Sequence, residues 1–474
     1  MIDNDDTEEV QLMIKRLMIV FWLSALFSQL IGCSVTTSGT DKTDETQFFG
    51  DTKIRDSLRI CVDLQDFAIS DPTTLDSAIE EFLHLLKQNT GLNNVVVEYI
   101  PSPYAFYDDA SEESDGILIR KTMIDRIRVE LLSGGGPDVF VVTQMHDFQD
   151  QGIDSLFPFP QEVMESGMFL PLDKYMANAQ FAEWDKFPET IMNAGRNEEG
   201  QQIVPLIYTL PVILCPQAEF VCTPNRKLSW NDMLTDPELS PYAVELANCY
   251  NVDIDANTNE EIKIYQNYLE FVLGNLVDHE NEELLFTEDE LLQRVNEILT
   301  LGNQETNDDE HIAEEMFIGW EINSEYYPEP LTMIPMYSDD GGVAARIDSY
   351  AAVNRNTRKP EEAFHVIDYL LDDQMQRKSK IYSQFFYCFD GLPMHEELFQ
   401  EDTPLLNDQF YLIGENYQEL REVCEQITVA NFDSELRDVL NDTLMYCAAA
   451  DAFGMTVEEI VHEAYEDLQR RVRE

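Results

Sequence analysis

ELLSGGGPDVFVV, Glu130 to Val142, changes its period in the middle. Upstream, Ile119, Met123, Ile127 and Leu131, with Ile124 alongside, recur at helical spacing, and the DVFVV that follows is an apolar run bounded by breakers. Three glycines and a proline therefore end a helix and lead into a strand. A Gly-rich turn can cradle phosphate, but a phosphate loop runs from strand to helix, and neither GxxxxGK[ST] nor GxGxxG occurs in the chain. The turn reads as a helix cap and not as a nucleotide site.

Working outward, LRICVDL from Leu58 is a buried strand, and Leu75, Ile79, Phe82, Leu83 and Leu86 form an amphipathic helix behind the breaker SDPTT. NVVVEYI after Gly91 is a second strand, separated from the Ile119–Leu131 helix by the acidic loop YDDASEESDG. The order βαβαβ predicts a parallel sheet in an α/β lobe. With 474 residues the chain exceeds one ordinary core, so a second lobe is expected. Near the other end, Pro360 opens a helix with Ala363, Phe364, Ile367 and Leu371 behind it. Thr456 and Glu459 form a capping-box pair ahead of an apolar face of Val457, Ile460, Val461, Ala464 and Leu468.

Charge narrows the partners. Asp and Glu number 92 against 30 Lys and Arg, a formal charge of −62. Such a surface repels phosphate backbones and anionic headgroups, so nucleic acid is not an expected partner. The acidity reads as a solvated surface that keeps the chain soluble.

At the N-terminus, Leu17 to Leu30 is an uncharged, mostly apolar run preceded by Lys15 and Arg16. It has the length of a signal-peptide core and is short of the roughly 20 residues a membrane span needs. The acidic MIDNDDTEEVQL before it does not suit a signal peptide, which makes Met13 an alternative start and residues 1–12 an upstream extension. Leu30, Ile31, Gly32 and Cys33 resemble the lipobox of bacterial lipoproteins, which implies lipidation of Cys33 and a polar tether behind it. The competing reading is a transmembrane anchor with an incidental cysteine.

Seven cysteines remain beyond Cys33, with irregular spacing and no CxxC, so they make neither a complete disulfide framework nor a zinc site. Cys215 and Cys222 are close enough in sequence to meet across a hairpin; buried free thiols account for most of the others. In NVDIDANTNEE, Asp253, Asp255, Asn257 and Asn259 alternate like calcium ligands, yet no register has Gly at position 6 or Glu at position 12. An Asx-rich turn fits better. No metal or cofactor is expected.

The Glu130–Val142 stretch and GMFLPLDKYM at Gly167 to Met176 resemble segments of family 1 extracellular solute-binding proteins of ABC importers. Further matches follow in the same order. IVPLIYTLP at Ile203 to Pro211 resembles the first interlobe crossing, and LSWNDML at Leu228 to Leu234 the helix start after it. EEMFIGWEI at Glu314 to Ile322 resembles the strand that reaches the cleft, and YAAVNRNTRKPEEAFHVIDYLL at Tyr350 to Leu371 the strand, turn and helix that rebuild the first lobe. TVEEIVHEAYEDLQRRV resembles the closing helix. CPQAEFVCTPNRK departs from the family's usual Tyr-Asn-Lys-type segment after the first crossing, which leaves the substrate less defined than the fold.

The resemblance implies a two-lobed periplasmic-binding-protein-like α/β fold of type II, each lobe a mainly parallel sheet flanked by helices, with the ligand cleft at the hinge. The implied division is residues 1–32 as signal peptide with upstream extension, 33–49 as tether, 50–208 plus 343–395 as the N-terminal lobe, and 209–342 plus 396–474 as the C-terminal lobe. It also implies a monomeric, lipid-anchored extracytoplasmic protein with no catalytic activity, whose partners are a carbohydrate and the ABC permease subunits. A sugar needs planar polar groups beside aromatic faces. Trp320 matches the family's stacking tryptophan, its alternative being a packed core or hinge residue. Gln65 and Asp66 follow the first strand, and Gln144, His146 and Asp147 follow the third, where α/β clefts place ligand contacts. Phe432 is a further stacking candidate, with Trp184, Trp230, Tyr326 and Tyr327 behind it. A secreted carbohydrate hydrolase, or a binding protein for a non-sugar solute, is the alternative. No GxSxG or HExxH supports the former.

Overall fold

The computed structural model describes residues 56–63, 72–101, 113–143, 155–216, 227–246, 249–255, 260–265, 269–302, 314–317, 331–378, 392–398, 414–432 and 434–473. The opening pattern folds as its periods dictate: β1 (Leu58–Asp63), α1 (Pro72–Thr90), β2 (Val95–Ile100), α2 (Glu113–Leu132) and β3 (Val139–Thr143). β1 pairs in parallel with both β2 and β3. The glycine turn closes α2 as a cap, its Gly134 and Gly135 N–H groups donating to the carbonyls of Leu131 and Glu130 at 2.9 and 3.0 Å.

α2 buries Ile124, Ile127 and Leu131, while Ile119 is left exposed. The cause is Arg120, which shares their face: it is buried in an ion pair of 2.7 Å with Asp63 at the end of β1. A paired guanidinium takes the core position that hydrophobicity alone assigns to an aliphatic side chain.

The remaining framework consists of β4 (Ile203–Thr209), β5 (Pro211–Pro216), α3 (Trp230–Thr235), α4 (Leu269–Leu273), α5 (Glu288–Gly302), β6 (Glu314–Phe317), β7 (Leu331–Pro335), β8 (Val343–Val353), α6 (Pro360–Leu370), β9 (Leu392–Pro393), β10 (Ile427–Asn431), α7 (Ser434–Ala448) and α8 (Val457–Arg471). One sheet runs β9-β4-β8-β3-β1-β2, with β10 also on β8. Beyond the parallel opening it is mixed, because β8 is antiparallel to β3 and β4 and parallel to β10. A second sheet, β6-β5-β7, is wholly antiparallel. The expected mainly parallel lobes are thus parallel only where βαβ units build them, since strands that pass between two sheets enter from the opposite direction.

Two connections join the sheets. Leu210 alone separates β4 in the large sheet from β5 in the small one, and residues 336–342 lead from β7 back to β8. The connections touch, the Met336 N–H donating to the Pro211 carbonyl at 2.9 Å. At the end of the second, the Gly342 N–H donates to the Leu228 carbonyl at 2.7 Å, while its own carbonyl accepts from the Ser338 N–H at 3.0 Å. The Gly341–Gly342 pair is therefore a pinned turn.

Helix ends follow their caps. Ser229 and Asp232 close a capping box on α3, Thr456 and Glu459 close another on α8, and Pro360 is the first residue of α6. α8 buries Ile460, Val461 and Leu468, with Val457 and Ala464 packed at the margin. The stretch offering alternating Asx residues is the hairpin Cys249–Asp255 with Glu260–Tyr265, antiparallel with a register shift between Asp253 and Asp255. Cys61, Cys424 and Cys447 are buried free thiols. Among the described residues no helix is long and apolar enough to cross a membrane, and no group of three or more His, Cys, Asp or Glu is arranged to hold a metal ion.

Candidate functional site

The ends of β1 and β3 come together as the sequence implies. Asp63, fully buried, receives Arg120 on one carboxylate oxygen and the Leu156 N–H at 2.8 Å on the other, and the Thr143 hydroxyl donates to its carbonyl at 2.9 Å. This arrangement fixes the points from which both following loops depart. Gln65, Asp66, Gln144, His146 and Asp147, on those loops, lie outside the described residues, as do Trp320, Tyr326, Tyr327 and Cys33.

The other aromatic candidates are placed. Phe432 is fully buried and meets Tyr350 of β8 edge to face, with ring centroids 5.3 Å apart. The Tyr350 hydroxyl is buried with no hydrogen-bond partner among the described residues. Burial, reinforced by the Asp63 charge, pushes its pKa well above the ordinary phenol value. Trp184 lies against Phe364 at 5.8 Å and Phe187 at 5.5 Å, its indole N–H donating to Asp368, so other rings already cover it. Asp368 also accepts the backbone N–H groups of Gln180, Phe181 and Ala182, which ties residues 180–184 to α6. Trp230 is buried at the start of α3 with its N–H on Glu297 at 3.0 Å, a structural role.

Sequence reading missed a charged cluster on the second crossing. β8 uses Val343–Arg346 to pair with β10 and Ser349–Val353 to pair with β3, and Asp348 is the bulged residue opposite β4, between Ile347 and Ser349. Arg346 bonds Asp348 at 2.8 Å and Glu270 of α4 at 3.3 Å, and its guanidinium lies 5.9 Å from the Phe271 ring centroid. Burial raises the pKa of both carboxyls, and the Arg346 and Arg437 charges oppose it. The Thr209 side chain at the end of β4 also favours the charged form of Asp348. The cluster thus ties the second crossing strand to α4, with the Arg437 charge of α7 acting on both carboxyls. Its signal was the charged pair RID inside the otherwise apolar VAARIDSYAAV.

No protein-family model matches the sequence, and no curated protein does. Solved structures do. The chain is similar to an extracellular solute-binding protein of family 1 from Alicyclobacillus acidocaldarius, at 11% identity over 88% of this chain and 98% of that one, with a TM-score of 0.51. It is also similar to the cyclic alpha-maltosyl-1,6-maltose binding protein from Arthrobacter globiformis, at 11% identity over 88% and 99% of the two chains, with a TM-score of 0.50. The likeness covers nearly the full length of both relatives and shows the fold: a two-lobed α/β binding-protein architecture.

Proposed function

We propose that this chain is an extracytoplasmic solute-binding lipoprotein that captures a sugar or oligosaccharide between its lobes and delivers it to the permease of an ABC importer. The observation that carries the reading is the pair of adjacent crossings at Leu210 and residues 336–342, within a fold like that of known solute-binding proteins. Such a connection suits hinge closure on a ligand. In this reading residues 50–208 plus 343–395 form one lobe and 209–342 plus 396–474 the other. Gln65, Asp66, Gln144, His146, Asp147 and Trp320 face the cleft, and Cys33 carries the lipid. The solute that the Arthrobacter protein binds makes an oligosaccharide the first class to test. The protein binds and releases its solute without turnover.

A thermal-shift screen of the purified chain against mono- and oligosaccharides tests this. A ligand at 100 times its Kd stabilises by about 2.7 kcal/mol, enough to raise the melting temperature measurably and saturably. No stabilisation by any saccharide, together with turnover of a chromogenic glycoside, would overturn the reading in favour of a hydrolase.

A further inference from the structure

The glycine turn is not where the second crossing bends. Besides the Gly342–Leu228 bond, the Trp230 N–H donates to the Ser338 carbonyl at 3.1 Å, the Asp339 N–H to the Val272 carbonyl at 2.8 Å, and the Thr428 hydroxyl to the Gly341 carbonyl at 3.2 Å. Arg294 of α5 bonds the Asp339 carboxylate at 2.8 Å. Residues 338–342 are thereby fixed to α3, α4, α5 and β10. The same body extends into β8. Val343–Arg346 lie in the β10 ladder, and the Asn431 side-chain amide at the end of β10 donates to the Gly274 carbonyl, just past α4, at 2.8 Å. Arg346 itself reaches Glu270 on α4.

From Ser349 onward β8 lies in the β3 ladder, which leaves Ile347 and Asp348 between the two, and the register against β4 slips on both sides of Ser349. A bulge interrupts the ladder and bends its strand, so the second crossing gives way here most easily. Arg346 pairs with Thr209, the residue before Leu210 of the first crossing. The two points of bending therefore stand side by side.

We propose that the Arg346–Asp348 ion pair is a clasp across this hinge, holding the α4 side of the bulge to the β3 side and setting how readily the two bodies part. The proposal takes the hinged lobes from the reading above and is independent of which solute they hold. Asp348 is fully buried and Arg346 is 14% exposed. Buried ion pairs add little stability over well-packed apolar side chains of similar volume, and their best-attested uses are fixing register and switching. Only part of the network crosses the bulge. Glu270 is on the α4 side, as is Arg437 of α7, which packs on α4 and has Asp438 beside it at 3.8 Å. The cation of the clasp is thus anchored on one side, while the Asp348 carboxylate stands at the start of the other.

Hydrogen–deuterium exchange and small-angle X-ray scattering on the full chain, without solute, test this. In the parent, the amides of 347–349 are expected to exchange several-fold faster than those of 338–342 and 350–353, through an opening that low urea hardly accelerates. Asp348→Asn is expected to speed exchange at 347–349 several-fold further and to enlarge the radius of gyration. Arg346→Lys, which keeps the charge but loses the planar fork, is expected to shift both in the same direction by less. Glu270→Gln removes an equally buried carboxylate from one side of the bulge; it is expected to lower the urea midpoint and leave exchange at 347–349 and the radius unchanged. If Glu270→Gln opens the chain as much as Asp348→Asn, the motion lies between β8 and α4 and the clasp is overturned. Exchange of 347–349 only on global unfolding, in the parent and in Arg346→Lys alike, also overturns it. The saccharide screen separates the two readings: a chain that no saccharide stabilises, yet that opens on Asp348→Asn, keeps the clasp and loses the sugar. Saccharide stabilisation with scattering and exchange unchanged in both clasp variants overturns the clasp alone.

Discussion

Arg346 and Asp348, two residues apart on β8, close a 2.8 Å ion pair around the bulge where the strand changes partners from β10 to β3. Removing one member leaves buried charge uncompensated. Asp348→Ala is expected to cost about 3–5 kcal/mol in urea unfolding. A loss below about 1 kcal/mol would mean that Glu270 alone satisfies the guanidinium.

Gly342 has φ +91°, and a Cβ there would clash with Thr428 Cγ2 and stand 2.8 Å from the Gln426 carbonyl oxygen. Thr428 belongs to β10 and Gln426 immediately precedes it. Gly342→Ala is expected to lose about 1–3 kcal/mol from backbone strain alone, whereas Gly134→Ala, with open space around its Cβ, meets no clash. Comparing their urea midpoints separates strain from steric exclusion.

Burial holds the His395 imidazole below its ordinary pKa of 6.5, outweighing the Leu371 carbonyl and the charges of Asp373, Glu183 and Glu397. The folded state therefore prefers the neutral ring. That contribution to stability is complete above the ordinary value and is lost as pH falls through the lower folded one. His395→Gln gives up the 4.7 Å edge contact with Phe187 and is less stable near neutrality. Its stability is expected to fall less steeply than the parent's between about pH 8 and pH 5, measured by urea unfolding. Parallel curves would contradict the assignment.

Burial pushes the Cys61 and Cys424 thiols well up and Cys447 up to about 12. Cys424 also shares a 3.4 Å hydrogen bond with the Tyr208 hydroxyl. At about pH 8 these groups hold almost no thiolate, the reactive form. Peptide mass mapping after iodoacetamide treatment is expected to find all three unmodified in the folded chain and alkylated after denaturation. Rapid labelling of any one in the native state would show that its surroundings open.

The sequence announced the fold where local period and tertiary burial agree, as in β1, α1, β2 and β3. It misplaced the buried face of α2, because Arg120 occupies a core position through its pairing with Asp63, a contact between residues 57 positions apart that no local pattern encodes. The caps at Ser229, Pro360 and Thr456 were readable because each is a short-range interaction. The β8 cluster was not, since its members come from segments far apart in the chain. Phe432 looked like a stacking residue, and only the packing of Tyr350 shows its ring enclosed.

Two of the four tryptophans are tied by their indole N–H to carboxylates in different parts of the molecule, Trp184 to Asp368 and Trp230 to Glu297. Each is therefore a built-in optical probe with its own quencher-sensitive environment. Chains retaining only one of them would report separately, in fluorescence, on the melting of the segment packed on α6 and of the α3–α5 region.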